Sequence, residues 1–148
     1  MIRELTADDI PEVLSRLHDA AHESGWIRDL VWDPAFIAQH LAAMIERDQY
    51  LVIGSDDGGA LMIAEVYQNW YSPSLVAHEK LIYVHPALRQ QGIARALIEH
   101  YVAWAKQRGA IKAGIAVNLG IAPEKVRLLF ESCGFQWQGH TFEMLLGD

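Results

Sequence analysis

Cysteine is almost absent from this sequence, and long apolar segments are missing. The one cysteine, Cys133, has no partner for an internal disulfide, which is typical of a protein kept in a reducing cytoplasm. No stretch approaches the ~18 apolar residues that a membrane-spanning helix needs. The opening MIRELTADDI also lacks the apolar centre of a signal peptide. We therefore expect a cytoplasmic protein with no membrane partner.

Positive charge is scarce as well. Lysine and arginine number 12 against 19 acidic residues, which gives a formal net charge of −7. Because general nucleic-acid binding relies on basic side chains that neutralise phosphates, this balance argues against a nucleic-acid partner. Two familiar phosphate-binding loops are missing too, since neither G-x-x-x-x-G-K-[ST] nor G-x-G-x-x-G occurs in the sequence.

Turn signals divide the chain into alternating strands and helices in the order β-α-α-β-β-β-α-β-α-β-β. The turn DDGG at 56–59 separates two apolar runs and predicts a hairpin. The strand–helix–strand stretch 78–117 predicts a parallel crossover. FQWQG at 135–139 and HTFEMLL at 140–146 predict a closing antiparallel pair. We expect one α/β (α+β) domain over residues 1–148.

One short stretch, ALRQQGIARALIEH at 87–100, places a glycine where a helix should start. Glycine costs a helix up to about 1 kcal/mol against alanine, so a need for bare backbone is indicated. The first amide groups of a helix have no partner within it and attract anions, and Arg89 and Arg95 would add positive charge. These residues alone leave two interpretations open, an anion site around Gly92 or a tight helix cap.

The longer stretch LIYVHPALRQQGIARALIEHYVAWAKQRG, followed by LLFESCGF and HTFEMLL, resembles the central signature of the GCN5-related N-acetyltransferase (GNAT) superfamily. The order of elements agrees with that family from residue 1 to 146. The resemblance implies the acyl-CoA N-acyltransferase fold, a mixed, mostly antiparallel sheet of six to seven strands flanked by about four helices. It also implies acetyl-CoA as co-substrate and direct acetyl transfer to a primary amine in a ternary complex.

The resemblance assigns residues to acetyl-CoA binding. In the family the turn binds the pyrophosphate, and here the turn residues are Arg89, Gln90, Gln91, Gly92, Ile93, Ala94 and Arg95. The end of the preceding strand binds the pantetheine arm through its backbone, here at Ile82, Tyr83 and Val84. Asn118, after the next strand, is a further candidate for pantetheine, and stabilising a turn is the alternative role for it.

The general base has two candidates on the strand AHEKLIYV. Counted back from Ile82, the family's glutamate falls on His78, and Glu79 lies one residue away. Successive strand residues point to opposite faces, so only one of them faces the site unless a bulge intervenes. Bulges are usual on this strand in the family, which favours Glu79 and leaves His78 as the alternative.

Two departures from the family pattern bear on catalysis. Phe130 stands where a tyrosine often protonates the leaving thiolate, and Pro123 stands where an asparagine is usual. A CoA thiol needs little help to leave, so catalysis remains compatible with the sequence. A non-catalytic acyl-CoA-binding module of the same fold is the alternative.

The acceptor amine is expected between the loops 23–34 and 68–77. Acidic and aromatic side chains there can hold a cation by charge and cation–π contact, although helix caps and core aromatics are the alternative for each. The candidates are Trp26, Asp29, Trp32, Trp70 and Tyr71. A small molecule or a protein would supply the amine, and a homodimer through edge strands is left open.

A rival interpretation is a zinc hydrolase built on HDAAHE. His18 and His22 share one helix face at a spacing that can chelate zinc. No third ligand follows at a recognisable distance, so we expect a surface histidine pair and no metal.

Overall fold

Four strands pair in the order of the chain as an antiparallel meander, and a fifth strand pairs parallel to the last of them. The computed structural model describes residues 1–147, so Asp148, the end of the expected domain, lies outside the described residues. The strands are β1 Ile2–Glu4, β2 Tyr50–Ser55, β3 Ala60–Gln68, β4 Leu75–Val84 and β5 Ala113–Gly114.

Residues 1–147 form four α-helices, α1 Ile10–Ser24, α2 Pro34–Ile45, α3 Ile93–Gln107 and α4 Pro123–Ser132. The first three pack on the sheet. Their ends follow local signals. Asp33 caps α2 by accepting a hydrogen bond from the Phe36 amide at 3.0 Å, and Gly25 ends α1 with a φ of +85°. No helix within residues 1–147 is long and apolar enough to cross a membrane.

Apolar side chains fill both faces of the sheet. On one face α3 packs against the sheet, with Leu97 and Tyr101 fully buried beside Met62 of β3. On the other face α1 and α2 cover Leu61 and Ile63 of the same strand. Because β3 alternates its side chains between the two cores, its register fixes both layers at once.

The predicted hairpin is confirmed between β2 and β3. Asp57 Oδ1 accepts a hydrogen bond from the Gly59 amide at 3.0 Å, and Gly58 adopts a φ of +71°. The predicted parallel crossover is also confirmed, since β4 and β5 run parallel on either side of α3.

The closing antiparallel pair at 135–139 and 140–146 was predicted wrongly, as was a sheet of six to seven strands. Within residues 1–147 the sheet has five strands, and neither segment is in it. Phe142 and Leu146 are 88% and 91% exposed. The cause lies in β5, which is limited to Ala113–Gly114 and offers too few residues for a further strand to pair with.

Candidate active site

The turn before α3 presents an uncapped helix start. Gly92 has a φ of +79°, a conformation that other residues rarely adopt, and α3 begins at Ile93. No side chain among residues 1–147 caps this helix, and a Cβ on Gly92 would meet no atom within 4 Å. The first amide groups therefore lie beside open space at the positive end of the helix dipole, which is a suitable place for an anion.

Other groups already engage the two arginines of this turn. Arg89 donates from Nη2 to Glu23 at 2.7 Å and from Nε to the Val84 carbonyl at 2.9 Å. Arg95 donates to Oγ of Ser132 on α4 at 2.6 Å. These three contacts hold part of each guanidinium group, whereas the backbone amides of the turn are free to bind a pyrophosphate.

Glu23, at the end of α1, joins that helix to the turn. Its Oε1 accepts a hydrogen bond from the Tyr83 hydroxyl at 2.8 Å in addition to the one from Arg89. The bond from Arg89 lowers the pKa of Glu23, while burial and the bond to Glu23 raise the pKa of Tyr83 to about 12. Sequence reasoning missed this link because nothing local connects two positions so far apart in the chain.

A β-bulge in β4 decides which side chain enters the gap beside β5. Leu81 pairs with Ile63 and Glu79 pairs with Ala64, so Lys80 is an extra residue between them. Directly opposed residues of an antiparallel pair share a face. Since Ala64 belongs to the core beneath α3, Glu79 points to that side of the sheet.

The Glu79 carboxyl is buried where β4 and β5 separate. The pairing of these strands ends at His78 and Gly114, and Glu79 is 2% exposed. Its Oε1 accepts hydrogen bonds from the Ala116 amide at 2.9 Å and from Nδ2 of Asn118 at 2.7 Å. Its Oε2 is buried without a hydrogen-bond partner among the described residues.

Burial raises the pKa of Glu79 to about 7, against the opposing effect of the hydrogen bonds from Ala116 and Asn118 and of nearby His78. A carboxyl that exchanges its proton near neutral pH is suited to general acid–base chemistry. Oε2 lies where the pairing of β4 and β5 ends, but it is enclosed, so a ligand must open the gap between the strands to reach it.

The edge of β4 beyond this point is open. Past His78, β4 has no strand partner on its β5 side within residues 1–147. Ile82, Tyr83 and Val84 lie along this stretch, with the Val84 carbonyl accepting from Arg89. An extended ligand can pair with such an edge as a strand would.

His78 lies against β5 rather than in the gap. Its Nδ1 donates to the Glu79 carbonyl at 2.6 Å, and a Cβ on Gly114 would lie 2.7 Å from its Cδ2. The ring thus fills the space next to the glycine of β5. Of the two candidate bases, the structure brings Glu79 to the gap.

The aromatic residue at the predicted acid position is buried. Phe130 is 7% exposed, and its ring centre lies 6.4 Å from that of Phe135. Tyr101 of α3, which is fully buried, donates its hydroxyl hydrogen to the Gly114 carbonyl at 2.8 Å. That contact fixes the end of β5, and it could not be foreseen because its partner is a backbone atom.

The predicted acceptor residues form two separate aromatic groups. The ring centres of Trp26 and Trp32 lie 6.2 Å apart on the α1–α2 connection, where Asp29 is exposed. Trp70 and Tyr71 meet edge to face at 5.5 Å in the β3–β4 loop and are 96% and 66% exposed. Both groups present aromatic surface to solvent, the second more fully.

The histidine pair sits beside the first aromatic group. The Nε2 atoms of His18 and His22 lie 3.2 Å apart, and the His18 ring packs edge to face on Trp32. Residues 1–147 contain no group of three or more side chains that could hold a metal ion.

Several solved structures share this fold at low sequence identity. A ribosomal-protein-alanine N-acetyltransferase from Brucella melitensis biovar Abortus 2308 is 22% identical, with a TM-score of 0.70 over 97% of this chain and 99% of that one. A transcriptional regulator from Bacillus halodurans C-125 is 20% identical, with a TM-score of 0.78 over 97% of both chains. An aminoglycoside antibiotic 6'-N-acetyltransferase from Acinetobacter haemolyticus is 20% identical, with a TM-score of 0.70 over 100% of this chain and 99% of that one.

At these identities the likeness shows the fold alone. No curated protein matches the sequence. The family model described as the acetyltransferase (GNAT) family, however, matches residues 11–135, which is most of the chain. With the open turn before α3 and the buried carboxyl in the β4–β5 gap also in place, the chain belongs to the GNAT family of acetyltransferases.

Proposed function

We propose that the protein transfers the acetyl group of acetyl-CoA to a primary amine by direct attack in a ternary complex, with Glu79 as the general base. The observation that carries this proposal is the buried Glu79 carboxyl, whose Oε2 has no partner among the described residues. Its pKa of about 7 lets the carboxyl lose and regain a proton near neutral pH.

The residues of the turn fit the pyrophosphate of acetyl-CoA. The start of α3 offers unpaired amides, and the φ of +79° at Gly92 holds them open without a side chain in the way. The open edge of β4 at Ile82, Tyr83 and Val84 suits the amide groups of the pantetheine arm. Bound acetyl-CoA supplies an acyl group activated as a thioester.

The chain's own part in the reaction is proton transfer and orientation. Oε2 of Glu79 takes a proton from the ammonium form of the acceptor, which frees the lone pair of the nitrogen. The nitrogen then bonds to the acetyl carbon as the carbon–sulfur bond breaks, and it loses a second proton to solvent. The thiolate leaves and collects a proton from solvent, since Phe130 offers none. Glu79 then returns its proton to water, which restores the carboxylate.

The acceptor is proposed to be a cationic amine that enters beside the exposed aromatic residues. Trp26, Trp32, Trp70 and Tyr71 present ring faces and edges, and Asp29 adds negative charge nearby. The net charge of −7 favours a cation over an anion as the incoming partner. Similarity in fold to an aminoglycoside acetyltransferase agrees with an amine acceptor.

A non-catalytic acyl-CoA-binding module is the second candidate, and Phe130 is the observation that favours it. A phenylalanine in the core cannot donate a proton to the thiolate. Measuring acetyl-CoA binding and then CoA release with a panel of amines distinguishes the two functions. The module would bind acetyl-CoA and release no CoA with any amine.

The first test is calorimetric titration with acetyl-CoA of the wild type and of the Gly92→Trp variant. We expect micromolar binding by the wild type and a loss of at least about tenfold in the variant, because the indole fills the space beside the helix start. An amine panel read out by free CoA follows. A wild type that fails to bind acetyl-CoA would overturn the proposal.

Gly109→Trp is the matched control. Gly109 lies at the other end of α3 with a φ of +81°, and a Cβ there also meets no atom within 4 Å. Both variants carry the same backbone strain on the same helix. Only the Gly92 variant should lose affinity, and an equal loss in both would point to general damage to α3.

A further inference from the structure

The hydrogen bonds of Glu79 are divided unequally between its two oxygens. Oε1 accepts one from the Ala116 amide and one from Nδ2 of Asn118, at 2.9 and 2.7 Å. A carboxylate oxygen has two lone pairs, so Oε1 is saturated. Oε2 is buried and has no hydrogen-bond partner among residues 1–147. A proton that binds this carboxyl therefore binds at Oε2.

Asn118 differs from the other donor in being a side chain. It follows the short strand β5 and is itself exposed, yet its amide reaches a carboxyl that is 2% exposed. Asn118 lies in the turn at 118–119, yet its side-chain amide donates to Glu79 rather than to that turn. A donor aimed at one oxygen favours the ionised form and fixes the orientation of the carboxyl plane.

We propose that Asn118 is a positioning residue, which holds Glu79 through the Nδ2–Oε1 hydrogen bond so that Oε2 receives the proton of the acceptor amine. This inference rests on the proposed function. It replaces the two roles considered for Asn118 from the sequence, pantetheine binding and stabilising a turn, since the amide is already committed to the carboxyl.

The other titratable groups around the carboxyl are few. His78 and Lys80 lie on the same strand and favour its charged form. Tyr101 of α3 faces it, and Tyr67 of β3 lies near Tyr101. Burial and the nearby carboxyl raise the pKa of Tyr101, so this hydroxyl stays neutral through the range in which Glu79 titrates. The effect of a substitution at Asn118 can therefore be measured in the titration of the Glu79 carboxyl, without overlap from Tyr101.

The test compares wild type, Asn118→Ala and Asn118→Asp by NMR titration of the ¹³C-labelled Glu79 carboxyl, assigned with Glu79→Gln. We expect the midpoint to rise by about half to one pH unit in Asn118→Ala, because a donor to the charged form is lost. Asn118→Asp should raise it further, since an acceptor of like charge replaces the donor. An unchanged midpoint in both variants would overturn the inference.

Kinetics with an amine found in the panel give the second readout. In Asn118→Ala the acidic limb of kcat/KM should move upward with the titration, and kcat should fall about tenfold while the KM for acetyl-CoA stays within twofold. A weaker KM for acetyl-CoA with an unmoved acidic limb would assign Asn118 to the cofactor instead. Gln107→Ala, which removes an exposed amide at the end of α3, is the matched control and should behave as wild type.

Failure of the inference and failure of the proposed function can be told apart. A wild type without turnover on any amine would end the acetyltransferase proposal, while the NMR titration would still report whether Asn118 holds Glu79. A wild type with turnover and unaltered Asn118 variants would end the inference alone.

Discussion

At the scale of single residues, the site depends on one extra amino acid in a strand. Lys80 bulges out of β4, and this turns Glu79 into the core beneath α3. A regular strand would have continued the face of Ile82 through Lys80 to His78 instead. The Glu79 carboxyl therefore lies in the β4–β5 gap because of the bulge in the backbone as much as because residue 79 is a glutamate.

Glu79→Gln should abolish turnover and leave acetyl-CoA binding nearly unchanged. Glutamine keeps an oxygen for the Ala116 and Asn118 donors but cannot take a proton, so we expect a loss of about 100-fold or more in kcat. Stopped-flow or steady-state release of CoA measures the loss, and calorimetry checks the binding. Retention of more than a tenth of wild-type kcat would remove Glu79 from the mechanism.

The same variant should change how stability depends on pH. Since the pKa of Glu79 is raised from 4.5 to about 7, the folded protein holds this proton more tightly than the unfolded chain does. The resulting stabilisation, about 3 kcal/mol, is complete below pH 4.5 and is lost as the pH rises through 7. Urea unfolding at pH 5 and pH 8 should show this decline in the wild type and in the control Glu99→Gln, but not in Glu79→Gln.

Sequence reasoning reached both candidates for the base but could not choose between them from the residues. A bulge has no reliable sequence signal, because it depends on how the partner strand pairs. The turn at Gly92 was easier to identify, because the glycine and the start of the helix after it can both be read from one short stretch of sequence. The bond from Asn118 to Glu79 was missed because it joins an exposed side chain to a buried one across the gap.

At the scale of elements, α3 supports both the turn and the sheet. Its start carries the open amides, while its buried face packs on the sheet and its Tyr101 hydroxyl holds the Gly114 carbonyl of β5. Helices were predictable because their caps and periodicity are local, whereas the length of β5 depends on what lies beside it.

Tyr101→Phe should loosen β5 without changing the packing of α3. The variant leaves the Gly114 carbonyl without its donor at 2.8 Å, which should cost about 1 kcal/mol of unfolding free energy. Tyr50→Phe is the control, because the Tyr50 hydroxyl makes no hydrogen bond within residues 1–147. Chemical denaturation measures both, and equal stabilities would contradict a role for the Tyr101 hydroxyl in anchoring β5.

At the scale of the whole molecule, the sheet is covered unevenly. Two helices cover one face and α3 covers the other, but the last residues carry large apolar side chains into solvent. Phe142, Met144, Leu145 and Leu146 are between 72% and 91% exposed. The alternation of HTFEMLL predicted a strand here, yet a strand needs a neighbour, and β5 stops too early to provide one.

Replacing Phe142 and Leu146 together by serine should leave the free energy of unfolding within about 0.5 kcal/mol of wild type, because neither side chain is buried. Leu97→Ala, at a fully buried position of α3, should cost about 2–5 kcal/mol in the same assay. A loss above about 2 kcal/mol in the serine variant would mean that the segment packs on the sheet after all.

The parallel pairing of β4 with β5 also sets an order of events during synthesis. β2, β3 and β4 are joined by short turns and can pair as soon as they emerge, whereas β5 must wait until all of α3 has followed. Until then β4 is an outer strand with unsatisfied backbone groups, the kind of edge that recruits other chains. Since β5 later covers only Ala77 and His78, residues 82–84, the edge proposed to receive pantetheine, remain without a strand partner even after β5 has paired.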